Sequence, residues 1–165
     1  MELTPQLLVE IEKIKRVKYA YLRTLDLKQW SDLASCLTDD VTSSYSDGKH
    51  SFTGKEAVMG FLKESMDDPK IITKHNCHHP EIEFISPTEA TGIWYLTDLV
   101  INPGNSSAEP PIPAITLEGT GFYEDHYRKA GNEWKITHTG YQRVYREIFD
   151  RKNMAVLHLK SRFSK

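Results

Sequence analysis

At 165 residues, with 39% hydrophobic and 27% charged side chains and a formal net charge of −2, the chain has the make-up of one folded domain with a substantial core. Lysines and arginines are spread along it and nearly balanced by acids, and no basic stretch is interleaved with aromatics, so nucleic-acid binding has no support and a small, weakly charged or neutral ligand is expected. Cys36 and Cys77 lie far apart and outside any paired spacing, which argues against a disulfide framework, and the charges within MELTPQLLVEIEKIKR argue against a signal peptide or membrane anchor, so the expected location is the cytoplasm.

Thr4-Pro5 reads as an N-cap followed by proline at the first helical position, and Leu7, Ile11, Ile14, Tyr21 and Leu25 recur with helical spacing. Tyr21 lies on the buried stripe, where its hydroxyl needs a partner in the core or in a cavity. Asp26, with Gln29 three residues on, fits an acidic capping box for a short helix carrying Trp30, Leu33, Ala34 and Leu37, which Asp39-Asp40 would end. VTSSYS reads as a short strand turning at Asp47-Gly48. Thr53-Gly54-Lys55-Glu56 then spells a capping box for a helix with Val58, Phe61, Leu62 and Met66.

From Ile71 to Val100, two runs rich in β-branched and aromatic residues flank Ser86-Pro87-Thr88-Glu89, which predicts an antiparallel hairpin. A turn centred between Ser86 and Pro87 sets His75 opposite Asp98, Cys77 opposite Leu96 and His79 opposite Trp94, with Ile82, Phe84, Ile93, Tyr95 and Leu99 on the other face. Facing Cβ atoms on one side of a sheet are about 4.5–5.5 Å apart, close enough for the His75 imidazole to bond the Asp98 carboxylate. Residues 102–113 form a loop of small residues and prolines, of a length that suits a lid or binding loop. A second hairpin follows, turning at Gly131-Asn132, with Asp125 facing His138 and Tyr127 facing Ile136. The tail, residues 150–165, is basic with scattered Met154, Val156, Leu157, Leu159 and Phe163. It suits a short helix over a cavity mouth, an arm on a neighbouring subunit or a frayed end. Helices first and long strands after argue for an α+β domain over residues 1–149, with helices on one face of a curved sheet.

The opening helix with Tyr21, Leu25-Asp26 and Trp30, the segment GKEAVMGFL, KHNCHHPEIEF, the turn into ATGIWYLTD, and GFYEDHYRKAGNEWKITHTGYQR together resemble the SnoaL-like branch of the nuclear-transport-factor-2-like superfamily. The resemblance runs from about Leu7 to Arg146. It implies a cone-shaped, cystatin-like roll, an antiparallel sheet wrapped around N-terminal helices with an internal apolar pocket, and a homo-oligomer, often a dimer or trimer. Within that branch the pattern is most similar to the bile-acid 7α-dehydratases and more distantly to the scytalone dehydratases. This implies Tyr21, Asp26, His75, Asp98 and a late arginine, Arg143, as catalytic residues. Counting alternation from Trp134 and Ile136, however, places Arg143 on the opposite face of its strand.

The expected chemistry is that of a cofactor-independent lyase, a dehydratase, acting on a small hydrophobic substrate of polycyclic, steroid-like or polyketide-like form that carries a hydroxyl. His75 would move the proton, Asp98 would orient it, and Tyr21 and Asp26 would bind or polarise the substrate oxygen. Phe61, Trp94, Leu96, Trp134, Tyr45 and Tyr123 would shape the pocket. No metal or organic cofactor is required. The run His75, Cys77, His78, His79 holds soft ligands, but it lacks CxxC-type spacing, and Cys77 reads as a small buried hydrophobe. An isomerase or cyclase using the same pair, and a non-catalytic ligand-binding or association domain, are the alternatives. The outward set of Ile82, Ile93, Tyr95 and Leu99 is apolar surface that a closed ring of subunits would cover.

Overall fold

The computed structural model describes residues 4–156 and 158–163; Leu157 of the tail lies outside the described residues. Helix α1 spans Pro5–Asp26. Thr4 caps it by accepting the Leu7 N–H, and Pro5 occupies the first turn as the sequence predicts. Its buried stripe is Ile14, Lys18, Tyr21, Leu22 and Leu25. Helix α2, Trp30–Ser35, is shorter than predicted and has no side-chain cap: Asp26 is the last residue of α1 rather than a capping-box residue. Leu37 belongs to no helix but opens strand β1, Leu37–Tyr45, which contains Asp39 and Asp40. After β2, His50–Thr53, helix α3 spans Lys55–Met66 with Gly54 as its N-cap and no side-chain cap bond, so the Thr53–Glu56 capping box does not form.

The remaining strands are β3 (Ile72–Ser86), β4 (Glu89–Asn102), β5 (Ile115–Ala130) and β6 (Glu133–Asp150). They form one curved six-stranded sheet in the order β2-β1-β6-β5-β4-β3. The fold is α+β, as predicted, and the sheet is not closed into a barrel. All neighbours are antiparallel except β1 and β6, a parallel pair that the sequence reading did not foresee. The helices fill the hollow side, α1 against β3 and β6 and α3 against β1. Leu33, Leu37, Val41, Val58 and Ile136 have no exposed surface, and each such side chain contributes about 1.5–3 kcal/mol when taken from water.

Four irregularities decide which side chains enter the core. In the first hairpin His75 faces Asp98 and Cys77 faces Leu96, as predicted, but the register shifts between His78 and Glu81. His79 is therefore not paired with Trp94; it sits at a positive φ of 48°, on the bulge. Beyond the bulge the faces exchange, so Ile82 and Phe84 pack against the core instead of lying outside. A second shift between Phe84 and Ser86 moves the turn to Pro87-Thr88. On β6 the ladder skips Thr137, so His126 faces His138 while Asp125 faces Thr139, which removes the predicted Asp125–His138 pair. Trp134 and Ile136 point inward before this bulge, and Thr139, Tyr141 and Arg143 follow the inward face after it. The alternation that put Arg143 outside fails because of that one residue. The ladder then skips Val144.

Asp125, turned inward, meets Lys18 of α1 with 2.7 Å between Nζ and Oδ2 and neither side chain exposed. The Tyr127 hydroxyl donates to the same oxygen at 2.7 Å, and the Trp94 indole donates to Tyr127 at 2.9 Å. The Lys18 ammonium also lies 3.4 Å from the centre of the Tyr123 ring. Among the described residues no helix is long and apolar enough to cross a membrane.

Candidate active site

Strand β3 is an edge of the sheet, so the N–H groups on its free side have no strand partner. The end of α1 supplies one. Asp26 accepts the His75 backbone N–H on Oδ2 at 2.9 Å, the His75 ring Nδ1 on Oδ1 at 2.7 Å and the Thr73 hydroxyl on Oδ1 at 2.7 Å. Burial works against the charge, but hydrogen bonds from His75 and Thr73 hold the Asp26 carboxyl below its usual value. An ionised Asp26 accepts, so Nδ1 carries the proton and Nε2 is the basic nitrogen. The imidazole is almost wholly buried, with 8% of its side chain exposed.

His75 lines a narrow cavity of about 70 Å³ between α1, α3 and the sheet, together with Tyr21, Tyr45, His50, Phe61, Met66, Tyr123 and Tyr141. The Tyr21 and Tyr45 hydroxyls share a 2.9 Å hydrogen bond. Burial is the main cause that pushes both phenols well above their ordinary range, so both keep their protons. Two hydroxyls with one bond between them leave one O–H free to donate to a ligand. Phe61 is the hub of the outer wall, stacked on Tyr45 at 5.6 Å, His50 at 5.1 Å and Phe52 at 4.7 Å between ring centres. A wider groove of about 320 Å³, lined by Ser44, Asp47, Glu124 and His138, opens at the surface and does not include His75.

The structure brings Tyr21, Asp26 and His75 together, but it gives His75 a different acid. Asp98 faces His75 in register, yet both its oxygens are taken by Arg143, at 2.5 Å from Nη1 and 2.7 Å from Nη2. Gly119 makes this reach possible, since a Cβ there would stand 2.7 Å from Arg143 Nη1. The guanidinium also lies 4.7 Å from the centre of the Tyr141 ring, so the pair braces a wall residue without lining the cavity itself. Of the predicted pocket residues, Phe61, Tyr45 and Tyr123 line the cavity. Trp94, Leu96 and Trp134 do not: Trp94 and Leu96 are buried core, and Trp134 packs on Phe84 and donates to Glu10 at 2.6 Å. His78 and His79 are exposed while His75 turns inward, so the histidine run does not converge. Among the described residues no three His, Cys, Asp or Glu side chains stand close enough to hold a metal.

His50, Ser46, Leu62, Met66 and Tyr141 join the cavity without having been assigned to it. Leu62 and Met66 carried a signal in their i, i+4 spacing beside Phe61. Tyr141 carried none, because its inward direction depends on the skipped Thr137.

Residues 6–140 match the SnoaL-like domain family. Three solved structures share the fold. A protein from Novosphingobium aromaticivorans assigned as a scytalone dehydratase is 23% identical, with 88% of this chain and 91% of that one covered and a TM-score of 0.74. A type 2 hexachlorocyclohexane dehydrochlorinase is 19% identical over 92% and 97% of the two chains, also at 0.74. A Nostoc punctiforme protein of unknown function with a cystatin-like fold is 21% identical over 87% and 95%, at 0.64.

Proposed function

The chain belongs to the SnoaL-like domain family, and from that premise we propose that it is a cofactor-independent lyase of the dehydratase type, acting on a hydrophobic hydroxylated substrate. One observation carries the reading: a buried imidazole, fixed through Nδ1 by an ionised aspartate, lines a small cavity beside a pair of protonated tyrosines. Neighbours in fold named as a dehydratase and a dehydrochlorinase are both proteins whose names denote loss of a small molecule, which agrees with it.

In this reading His75 Nε2 takes the proton from a carbon next to a carbonyl group. The C–H electron pair becomes the new double bond as the bond to the neighbouring hydroxyl breaks. The departing oxygen takes the proton back from the imidazolium and leaves as water. The spare hydroxyl of the Tyr21–Tyr45 pair donates to the carbonyl oxygen, where negative charge collects in the transition state. Asp26 holds the ring in place and stabilises its charged form.

A volume of about 70 Å³ holds the reacting atoms and little more, well below the roughly 300–1,000 Å³ of pockets that bury a drug-sized ligand. A polycyclic, steroid-like or polyketide-like body therefore requires the Phe61–Met66 wall of α3 to swing outward as it enters. The test is turnover of a panel of β-hydroxy ketones carrying one to four fused rings, followed by the absorbance of the conjugated product. Water loss that vanishes in His75→Ala supports the proposal, and a shifted double bond without water loss would assign an isomerase instead. Ligands that bind and return unchanged across the whole panel would reduce the protein to a binding domain.

A further inference from the structure

A second hollow lies on a different face of α1 from the catalytic cavity, where that helix, the end of α2 and the start of β6 leave a three-walled groove of about 440 Å³. It shares no lining residue with the cavity. Its base is closed by the Ile136 N–H, which donates to the Cys36 carbonyl at 2.9 Å. The floor is apolar: Cys36 and Trp134 are buried, and Val17 and Ala20 are half-buried and packed on the core. The rim is basic. Lys13, Arg16 and Lys135 line it, and Arg23, two turns or about 10 Å further along the same face of α1, continues the row. Glu10 and Asn132 both accept from the Lys13 ammonium at 2.9 Å. Among the described residues no ion pair or hydrogen bond engages the side chains of Arg16, Arg23 or Lys135. The acid on the rim, Glu133, is exposed and pairs with none of them. An apolar floor under unpaired cations has the two-part character of a ligand with an oily body and an anionic head.

We propose that this groove binds an amphipathic organic anion, a carboxylate or phosphate carried on a flat hydrocarbon body, at a site separate from the catalytic cavity. The body lies along Val17, Ala20 and Trp134, and the head sits between Arg16 and Lys135. A guanidinium takes two oxygens of such a head in parallel bonds, and the ammonium across the groove adds a point charge. Neither half suffices alone. Exposed cations hold a bare anion weakly because water and salt screen them, whereas the apolar floor gains from covering a hydrocarbon whatever its charge. The volume falls within the roughly 300–1,000 Å³ of pockets for small ligands, and walls on three sides suit a compact molecule better than an extended acidic segment of another protein. The inference does not rest on the reading of His75, since none of these residues reaches that cavity.

Isothermal titration calorimetry of the full chain with naphthyl phosphate and with naphthoate tests this without any substrate, using naphthalene methanol and inorganic phosphate as the separate halves. The expected result is one aryl anion bound per chain, at least tenfold more tightly than either half. Arg16→Gln with Lys135→Gln should weaken it at least tenfold at unchanged far-UV circular dichroism, since neither side chain is buried. His75→Ala, which alters only the catalytic cavity, should leave the affinity within twofold. Failure of both aryl anions to bind at millimolar concentration overturns the proposal, as does an affinity that ignores the Arg16 and Lys135 changes. Inorganic phosphate binding as tightly as naphthyl phosphate would overturn the role of the floor, and loss of binding in His75→Ala would move the ligand to the catalytic cavity. A glutamate-rich peptide that bound more tightly than either aryl anion would assign the groove to an acidic protein partner instead.

Discussion

Replacing Asp26 by Asn keeps the size and shape of the side chain and removes its charge, so it isolates what the carboxylate does for His75. Asp26 accepts three hydrogen bonds but does not line the cavity, whereas His75 does. The substitution should therefore spare KM within a few-fold and act on kcat. When His75 takes up a proton, the wild-type carboxylate faces a cation across a 2.7 Å bond; in the variant an amide does. A charge-assisted bond is worth about 1–1.5 kcal/mol more than a neutral one. The interaction of unit charges about 4 Å apart near a protein surface adds up to about 4 kcal/mol, of which part is screened. A loss of about 3–5 kcal/mol in the transition state corresponds to a fall in kcat of roughly 10²–10⁴-fold. The elimination assay on the best substrate of the ketone panel reads this directly. If Asp26→Asn kept kcat within tenfold of wild type while His75→Ala was inactive, the pairing would be structural and the reasoning wrong.

Other regions make independent predictions. Lys18→Met leaves Asp125 charged, buried and unpaired; it should cost about 3–5 kcal/mol and lower Tm by roughly 10 °C, while Lys18→Met with Asp125→Asn, which retains an acceptor for Tyr127, should regain most of the loss. A Lys18→Met variant that melted with the wild type would show that the pair is not charged in the native state. Hydrogen bonds from Lys129 and Trp134 draw the Glu10 carboxyl from 4.5 down to about 2. A depressed folded-state value means stability that is present above the unfolded value and lost as pH falls from about 4.5 towards 2, so Glu10→Gln should flatten the dependence of urea stability on pH in that window. Burial pushes the Cys77 thiol up to about 12 and the Cys36 thiol upward as well, so neither should react with Ellman's reagent at pH 8 until the protein is unfolded.

Much of this arrangement could be read from the order of residues. The periodicity of α1 and the α+β order come from the sequence, and the resemblance pointed to Tyr21, Asp26 and His75, although it is Asp26 and not the expected Asp98 that bonds the imidazole. The register that sets His75 opposite Asp98 is also legible in the sequence, although two bulges and a displaced turn offset one another to produce it. What pattern could not supply was the competition for partners. Asp98 is satisfied by Arg143, whose inward direction follows from the skipped Thr137, and His75 is satisfied by Asp26, which reaches it only because β3 lies at an edge beside the end of α1. A bulge adds a single residue to a strand and leaves no mark in composition or hydrophobic alternation that distinguishes it from an ordinary polar position. The parallel β1–β6 pair is equally silent, because it joins stretches 96 residues apart at Thr42 and His138.

That seam has a consequence for how the molecule is made. Ile136 donates its backbone N–H to Cys36, and Thr42 shares a hydrogen with His138, so the first strand to be synthesised has its main partner in the last. Until the final hairpin is complete, β1 offers only the four-residue β2 as a neighbour, and the apolar interior has no wall on that side. Contacts so distant along the chain place this protein among slow folders. During translation the half-built sheet exposes an unprotected margin, which is the interval in which a chaperone has something to hold.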